Sequence, residues 1–409
     1  MNKHILTLSF GCRLNTLESE KIATMLSPVL ECAIVVNTCA VTNEAERQSG
    51  QAVRRLAREN PNAPIFVTGC AATRNPGMFR DIPNTIVVDN SEKLNLGAYK
   101  SGIELAPCFK TGPEINKFRD INSKLSKQFI QVQNGCNHQC AYCVTRLLRG
   151  KNVAYPYEEI RTEAENAIKN GFNEIVLTGV DIASYVDRND EKTILISDLC
   201  RRLLNDVPGI RQLRLSSMDP ASPEIPKIIE LMKSDARMLP HMHLSMQSGS
   251  DPILASMRRR HTADTVRSFV SPNPDVSFSW DIICGFPGET DTLFNETADL
   301  ARELKPIKIH AFPFSARPDT EAFSMPNQID RAESKKRVKI ISDIADENKR
   351  EFMKSRIGTI ASVLVEENNN ARTADDIDVK IGGDKIPARS ICNVKLTDIS
   401  DLHFIGEIC

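Results

Sequence analysis

Short runs of aliphatic and β-branched residues alternate with stretches of helical periodicity along the first hundred positions. Ile5–Leu8 reads as a strand and Thr16–Leu26 as a helix. Ala33–Val36 and Asn43–Glu59 repeat the pair, and Ile65–Thr68 and Thr85–Val88 add two more strands. Such alternation predicts βαβ units on a mostly parallel sheet. A polar stretch holding Pro107, Gly112 and Pro113 is expected to be a linker over 106–127. The alternation then resumes, with strands expected at Phe129–Gln133, Glu174–Leu177, Gln212–Leu215, His243–Met246, Ser277–Ile283 and Ile307–Ala311, and helices such as Tyr157–Lys169 and Glu289–Glu303 between them. Six βα repeats predict a partial or complete parallel barrel over 128–355, with its ligand site at the carboxyl ends of the strands. The charged stretch Arg331–Arg356 reads as the helix that closes it. Beyond it, Ile360–Val365, Ile377–Ile381, Ala388–Leu396 and His403–Ile408 predict a small all-β, barrel-like module over 356–409. The expected class is α/β: an N-terminal parallel α/β domain (1–105), a partial (β/α)6 barrel and a β-module.

Apolar residues make up 41% of the 409 positions, which excludes a disordered chain. Lys and Arg (52) against Asp and Glu (53) leave a net charge of −1, so no global field draws in a polyanion and any nucleic acid must meet local patches. Candidates are Arg54-Arg55 with Arg58, Arg258-Arg259-Arg260, and Lys335-Lys336-Arg337 with Lys339; each is also an ordinary solvated helix face. No apolar run approaches the roughly 18 residues of a membrane span. The N-terminus has no signal-peptide pattern. A soluble, cytoplasmic protein with no membrane partner is expected.

Twelve cysteines in a chain of this length do not describe a small disulfide scaffold. Cys136-x3-Cys140-x2-Cys143 follows the strand expected at Phe129–Gln133, with Gly135 available for a tight turn. Three thiolates on one short loop can hold three irons of a cubane and leave the fourth open to a substrate. Zinc competes, but a structural zinc site wants four ligands, and His138, between the thiolates, is poorly placed as the fourth. A second set, Cys12, Cys39 and Cys70, is too widely spaced for a local metal motif, yet each follows a predicted strand. Parallel strands would bring all three to one sheet edge, where they would be either a second cluster site or three small hydrophobes in a core. Cys32, Cys108, Cys200, Cys284, Cys392 and Cys409 match no ligand position, and the alternating His241 and His243 are given no chemistry.

The spacing of the tight triplet is similar to that of the radical S-adenosylmethionine superfamily, as are its surroundings. Tyr142 takes the aromatic place before the last cysteine. Thr178-Gly179-Val180-Asp181 follows the second strand, Ser216-Ser217-Met218-Asp219-Pro220 the third, Gln247-Ser248-Gly249 the fourth, and Asp281 to Glu289, including Gly285 and Pro287, the fifth. Further motifs resemble the methylthiotransferase family: Gly11 to Glu20, Asn37-Thr38-Cys39-Ala40-Val41-Thr42, Val67-Thr68-Gly69-Cys70-Ala71, Gln131 to Cys136 and Met257-Arg258-Arg259-Arg260-His261. The Arg13-Leu14-Asn15 and Val36 to Thr42 forms most resemble the branch acting on threonylcarbamoyladenosine in tRNA. The resemblance covers about the first 355 residues. It departs after Cys143, where the family has a proline and an aromatic residue and this chain has Arg146-Leu147-Leu148. The stretch between His261 and Trp280 is short, and so is the C-terminal module, which resembles the family's RNA-binding barrel.

The resemblance implies two [4Fe-4S] clusters, one on Cys136, Cys140 and Cys143 and one on Cys12, Cys39 and Cys70. It implies S-adenosylmethionine on the open iron of the first, held by Tyr142, Thr178, Gly179, Val180, Asp181, Ser216, Ser217, Gln247, Gly285 and Pro287. Reductive cleavage would give a deoxyadenosyl radical that takes hydrogen from carbon 2 of an adenosine beside the anticodon. The second cluster would deliver sulfur, methylated by a second S-adenosylmethionine. A loop base is already unpaired, so presenting it costs at most a few kcal/mol. The chemistry asks for a reducing electron-donor protein and a source of replacement sulfur. Alternatives are the same chemistry on isopentenyladenosine in tRNA or on a ribosomal-protein aspartate, and a non-catalytic, metal-stabilised RNA-binding protein.

Overall fold

The computed structural model describes residues 4–30, 32–105, 126–189 and 192–409. The expected linker lies outside the described residues except at its end, where Lys127 already opens a strand. Contacts divide the chain into two compact units. One comprises the described residues up to Leu105 with Asn134–His138 and Cys143–Lys151; the other comprises 126–133, Gln139–Tyr142 and Asn152–Cys409.

In the first unit, β1 (His4–Ser9), β2 (Cys32–Thr38), β3 (Ile65–Gly69) and β4 (Thr85–Val87) form a parallel sheet in chain order. β2 and β3 are buried at every position, as strands covered on both faces are. One face packs Ala33, Val35 and Phe66 against Ile22 and Leu26 of α1 (Arg13–Leu26). The other packs Ile34, Val36 and Val67 against Val53 and Leu56 of α2 (Asn43–Glu59). α2 starts where the Thr42 hydroxyl accepts from the Ala45 N–H at 3.1 Å, satisfying a backbone donor that the helix itself leaves unpaired.

The second unit holds six parallel strands, Lys127–Gln131, Glu174–Thr178, Gln212–Leu215, His241–Gln247, Ser277–Cys284 and Lys308–Pro313. They pair in chain order as two three-stranded sheets, joined by the bridges Leu213 to Met238 and Met218 to Leu244. The result is the expected open six-stranded barrel. Alternate residues (Ile130, Ile175, Leu177, Leu213, Met242, Leu244, Phe278, Trp280) form one apolar core with Ile160, Leu199, Leu203 and Ile228 of the covering helices. The intervening positions face the interior and are largely polar: Lys127, Gln131, Glu174, Arg214, His241, His243, Ser277, Ser279 and Asp281. A packed parallel barrel fills that space with Val, Ile and Leu, so this interior is built for polar company.

The last fifty residues form a closed five-stranded barrel, Ile360–Val365, Asn370–Thr373, Asp378–Ile381, His403–Ile408 and Ile391–Ser400 in that order around the ring, filled by Val363, Val379, Val394, Leu396 and Phe404. The strand Asn370–Thr373 and the hairpin Val186–Asn189 with Lys192–Leu195 have no apolar alternation strong enough to be read from sequence. The expected Ala388–Leu396 instead starts at Ile391 and runs to Ser400.

Candidate functional site

In the first unit, Ser9 stands opposite Asn37 and Thr38 opposite Gly69 in the sheet register. Cys39 and Cys70 therefore leave adjacent strands at the same level, and Cys12 follows β1 at the start of α1. Gly11 and Gly69 have left-handed backbone, φ +86° and +92°; a Cβ at 11 would lie 2.4 Å from the Cys39 sulfur, and one at 69 would lie 2.3 Å from the Asn37 side-chain oxygen. Only glycine fits before Cys12 and Cys70. Asn15 ties the ends together, its amide donating to the Phe10 and Thr38 carbonyls at 2.8 and 3.1 Å, while Asn37 donates to the Asn15 carbonyl at 2.9 Å. The Thr38 hydroxyl donates to the Thr68 carbonyl at 2.6 Å and accepts from the Ala72 N–H at 3.0 Å. The Cys39 sulfur accepts from the Val41 N–H at 3.4 Å.

Behind this edge lies a buried ionic group with no obvious sequence signal. The Arg149 guanidinium donates to both oxygens of Glu18, at 2.8 and 3.1 Å, to Asn15 Oδ1 at 2.6 Å and to Asn134 Oδ1 at 3.2 Å. The Lys93 ammonium donates to Glu18 at 2.5 Å and to Asn90 Oδ1 at 2.7 Å. Burial pushes the Glu18 carboxyl up, but Lys93 and Arg149 outweigh it and hold it below the usual range. Burial lowers Lys93 against the pull of Glu18. The stretch carrying Arg149 also carries Cys136 and Cys143. The Cys136 N–H donates to the Gly150 carbonyl at 3.1 Å, and the sulfurs of Cys136 and Cys143 accept from the N–H groups of His138 and Thr145, both at 3.4 Å. Leu148, where the family resemblance departs, packs on the core between the sheet and α2.

In the second unit, Ala141 is fixed between the Met257 carbonyl and the Ala322 N–H, at 3.1 and 2.8 Å. Beside it the Arg259 guanidinium donates to the Cys140 sulfur at 3.6 Å, to Asp219 at 3.2 Å and to the Ser245 carbonyl at 2.9 Å. Arg260 takes the other Asp219 oxygen at 2.9 Å. Burial pushes Asp219 up, but these arginines and the Ala221 N–H hold it low. Arg259, read from sequence as either a phosphate contact or part of a solvated helix face, is instead buried, its terminal nitrogens taken up by Cys140, Asp219 and Ser245. Arg337 of the patch after Lys335 is likewise taken inside by Glu289, Asp291 and Glu333, while Lys336 and Lys339 pair with Glu333 and Asp343.

The expected S-adenosylmethionine residues gather at the strand ends. Gln133 Oε1 accepts from the Val180 and Asp181 N–H groups at 2.9 and 2.8 Å and so holds the turn Thr178-Gly179-Val180-Asp181; the Ser184 hydroxyl donates to Asp181 at 2.6 Å. The hydroxyls of Ser216 and Ser217 are buried with no protein partner. Gln247 ends the fourth strand at φ +69°. Gly285, φ +79°, has no room for a Cβ against Ser334, and its N–H donates to Glu289 at 2.6 Å; Pro287 lies in the same turn. Tyr142 packs against the cluster of Ile253, Met257, Ile283 and Phe286.

Deeper in the barrel a chain of hydrogen bonds joins residues that sequence reading left without chemistry. Asp281 meets His243 Nε2 at 2.9 Å, and His243 Nδ1 meets the Ser279 hydroxyl at 2.7 Å. That hydroxyl meets His241 Nε2 at 3.1 Å, and His241 Nδ1 meets Ser277 at 2.9 Å. Burial pushes His241 down to about 3, so it is neutral. The sequence signal was the alternation of His and Ser on neighbouring strands.

Comparison with known proteins agrees with this geometry. Residues 130–301 match the model of the Radical SAM superfamily, and residues 4–89 that of the uncharacterized protein family UPF0004. The chain is 38% identical to the threonylcarbamoyladenosine tRNA methylthiotransferase MtaB of Rickettsia prowazekii (strain Madrid E), covering 91% of this chain and 90% of that protein. It is 32% identical to the protein of that name from Chlamydia pneumoniae, covering 97% and 96%. It is 27% identical to the tRNA-2-methylthio-N(6)-dimethylallyladenosine synthase of Neisseria gonorrhoeae (strain NCCP11945), covering 99% of each. Among solved structures, the radical S-adenosylmethionine methyltransferase TsrM of Kitasatospora setae shares the fold, with a TM-score of 0.52 and 14% identity over 76% of this chain and 68% of that one. Among the described residues no helix is long and apolar enough to cross a membrane.

Proposed function

Because the chain belongs to the radical S-adenosylmethionine tRNA methylthiotransferases, we propose that it converts N6-threonylcarbamoyladenosine beside the anticodon of tRNA to its 2-methylthio derivative, in the cytoplasm. The observation that carries the reading is the sheet edge where Cys12, Cys39 and Cys70 follow three adjacent parallel strands, Cys12 and Cys70 each behind a glycine that no other residue can replace. A radical enzyme that only cleaves S-adenosylmethionine has no use for it. The names of the Rickettsia and Chlamydia relatives supply the nucleoside.

The residues fit the groups this function requires. N–H groups of Val41, His138 and Thr145 already point at cysteine sulfurs, as they would toward thiolates carrying cluster charge. The unpaired hydroxyls of Ser216 and Ser217 offer partners to a polar ligand at the strand ends. When bound, a [4Fe-4S] cluster on Cys136, Cys140 and Cys143 supplies the electron that cleaves S-adenosylmethionine, and a second on Cys12, Cys39 and Cys70 supplies the sulfur. The protein's part is placement. Gln133 holds the Thr178–Asp181 turn so that its backbone and Asp181 can receive the amino group of the methionine moiety. Gly285, Pro287 and Gln247 shape the mouth for an adenosine, and Arg259 stabilises the Cys140 thiolate while Asp219 holds Arg259 in place.

The test is nucleoside analysis of tRNA from a strain lacking the gene, with and without this chain supplied. Appearance of 2-methylthio-N6-threonylcarbamoyladenosine is expected. Appearance of the 2-methylthio derivative of isopentenyladenosine instead would move the target to that base, and an unchanged nucleoside profile would overturn a tRNA substrate.

A further inference from the structure

Arg149, Lys93 and Glu18 are nearly inaccessible, their side chains 3%, 4% and 1% exposed. Among the described residues Glu18 is the one carboxylate in ion-pair contact with either cation; Asp89 acts on Lys93 only at longer range and is exposed. Two cations sharing one anion leave a net positive charge inside the protein. Buried charge without a partner is costly, so the arrangement calls for an anion. Besides Glu18 the direct partners are the neutral Asn15, Asn90 and Asn134, while Cys70 and Cys12 act electrostatically on Arg149 and Cys70 on Lys93. The helix Cys70–Arg74 packs directly on Thr145–Arg149, and Asn15, which accepts from Arg149, is the residue that ties β1 to β2 just before the cysteines.

We propose that Arg149 and Lys93 are positioning residues that, sharing Glu18, supply positive charge behind the Cys12, Cys39 and Cys70 edge as counter-charge to the anionic centre bound there. Arg149 is delivered by the same short stretch that carries Cys136 and Cys143, so the loop of one centre sets the electrostatics of the other. An iron–sulfur core held by three thiolates is net negative and gains a further negative charge on reduction. A fixed cation behind it favours the reduced form. The inference rests on the cluster proposed for this edge.

The experiment uses the full chain with Cys136, Cys140 and Cys143 changed to Ala, so that only the sheet-edge cluster reports. Redox titration followed by electron paramagnetic resonance then compares Arg149→Met and Glu18→Gln in that background. Arg149→Met removes the excess charge and is expected to lower the reduced-to-oxidised ratio at a fixed potential about tenfold, a shift of about 59 mV for one electron. Glu18→Gln removes the one carboxylate that, among the described residues, ion-pairs with these cations and is expected to move the ratio the other way. Loss of packing alone has no reason to give opposite signs. Equal shifts, or none with iron retained, overturn the proposal. If Arg149→Met takes up no iron, Arg149→Lys decides: iron retained there supports a role for charge, and iron lost there too shows that shape alone mattered. An empty parent protein would overturn the sheet-edge cluster itself, and the present inference with it.

Discussion

Thr38 and Gly69 stand opposite each other in neighbouring parallel strands, and the residue after each is a cysteine. The sheet register brings thiols thirty-one positions apart in sequence to one edge. Gly11 brings the third, since its left-handed turn passes so close to the Cys39 sulfur that no side chain fits.

That contact makes Gly11 a sharp test of the edge. Gly11→Ala adds a Cβ in a disfavoured conformation, a strain of about 1–3 kcal/mol, and pushes on Cys39. After anaerobic reconstitution, iron per chain is expected to fall from about eight to about four, as for the loss of one of two cubanes. Reductive cleavage of S-adenosylmethionine should continue while methylthio transfer stops. Iron near eight with full transfer would show that the edge accommodates a side chain at position 11, against the close approach to Cys39.

Arg259 is expected to matter to chemistry and to folding together. Arg259→Met removes the donor to the Cys140 sulfur and leaves Asp219 with Arg260 and the Ala221 N–H. Removing one partner of a buried ion pair costs about 3–5 kcal/mol, and the remaining Arg260 contact should keep the loss near the lower end. Deoxyadenosine formation under reductant should fall by at least about tenfold. An unchanged rate would mean that Arg259 is only a packing residue.

Two buried neutral histidines predict an acid-sensitive fold. Burial holds His241 at about 3 and His261 at about 4, both below their unfolded value of about 6.5. The unfolded chain therefore binds more protons as pH falls. Their contribution to stability is present above pH 6.5 and is lost progressively below it, at up to about 1.4 kcal/mol per histidine per pH unit. Denaturant midpoints at pH 7, 6 and 5 should decline, and His241→Gln should flatten the decline. Equal slopes in the two proteins would remove His241 from the account.

Buried charges join the C-terminal barrel to the central one, beside the apolar contacts of Ile307 and Met353. Asp376 lies 3.5 Å from both Lys127 and Arg372, and Lys127 and Arg214 share Glu174 at 3.4 and 2.8 Å. Arg214 also donates to the Ala374 carbonyl at 3.1 Å. Burial pushes the Asp376 carboxyl up, but Arg214, Lys127 and Arg372 keep it well below the usual range. Asp376→Asn leaves Lys127 and Arg214 to Glu174 alone, while Arg372 keeps Glu366 and Asp378, and is expected to destabilise the protein by about 3 kcal/mol. Protease nicking should then become faster after Arg356. Identical melting and nicking would show that apolar contacts alone hold the module.

Local order was legible wherever periodicity was strong. Asn43–Glu59, Tyr157–Lys169 and Arg331–Arg356 have the helical boundaries their patterns predict, because spacing of apolar residues and end signals act within a few turns. Asn370–Thr373 was missed because only Ala371 and Thr373 are buried in a run of polar residues, and its strand is made by pairing with Val363–Val365 on one side and Asp378–Lys380 on the other. The basic runs misled for a related reason. Sequence counts charges, but Arg259 and Arg337 sit where distant carboxylates draw them inward.

The cysteine triplet, its glycines and the order of loops after the strands were determined by the sequence itself, since eight residues of chain keep Cys136, Cys140 and Cys143 together whatever the fold does. The tertiary structure decided what surrounds them. Which thiols share an edge depends on strand register, and which cations turn inward depends on Glu18 and Asp219, 131 and 40 positions from Arg149 and Arg259. Burial turns those pairings into strong interactions by excluding water, and burial is a property of the folded chain.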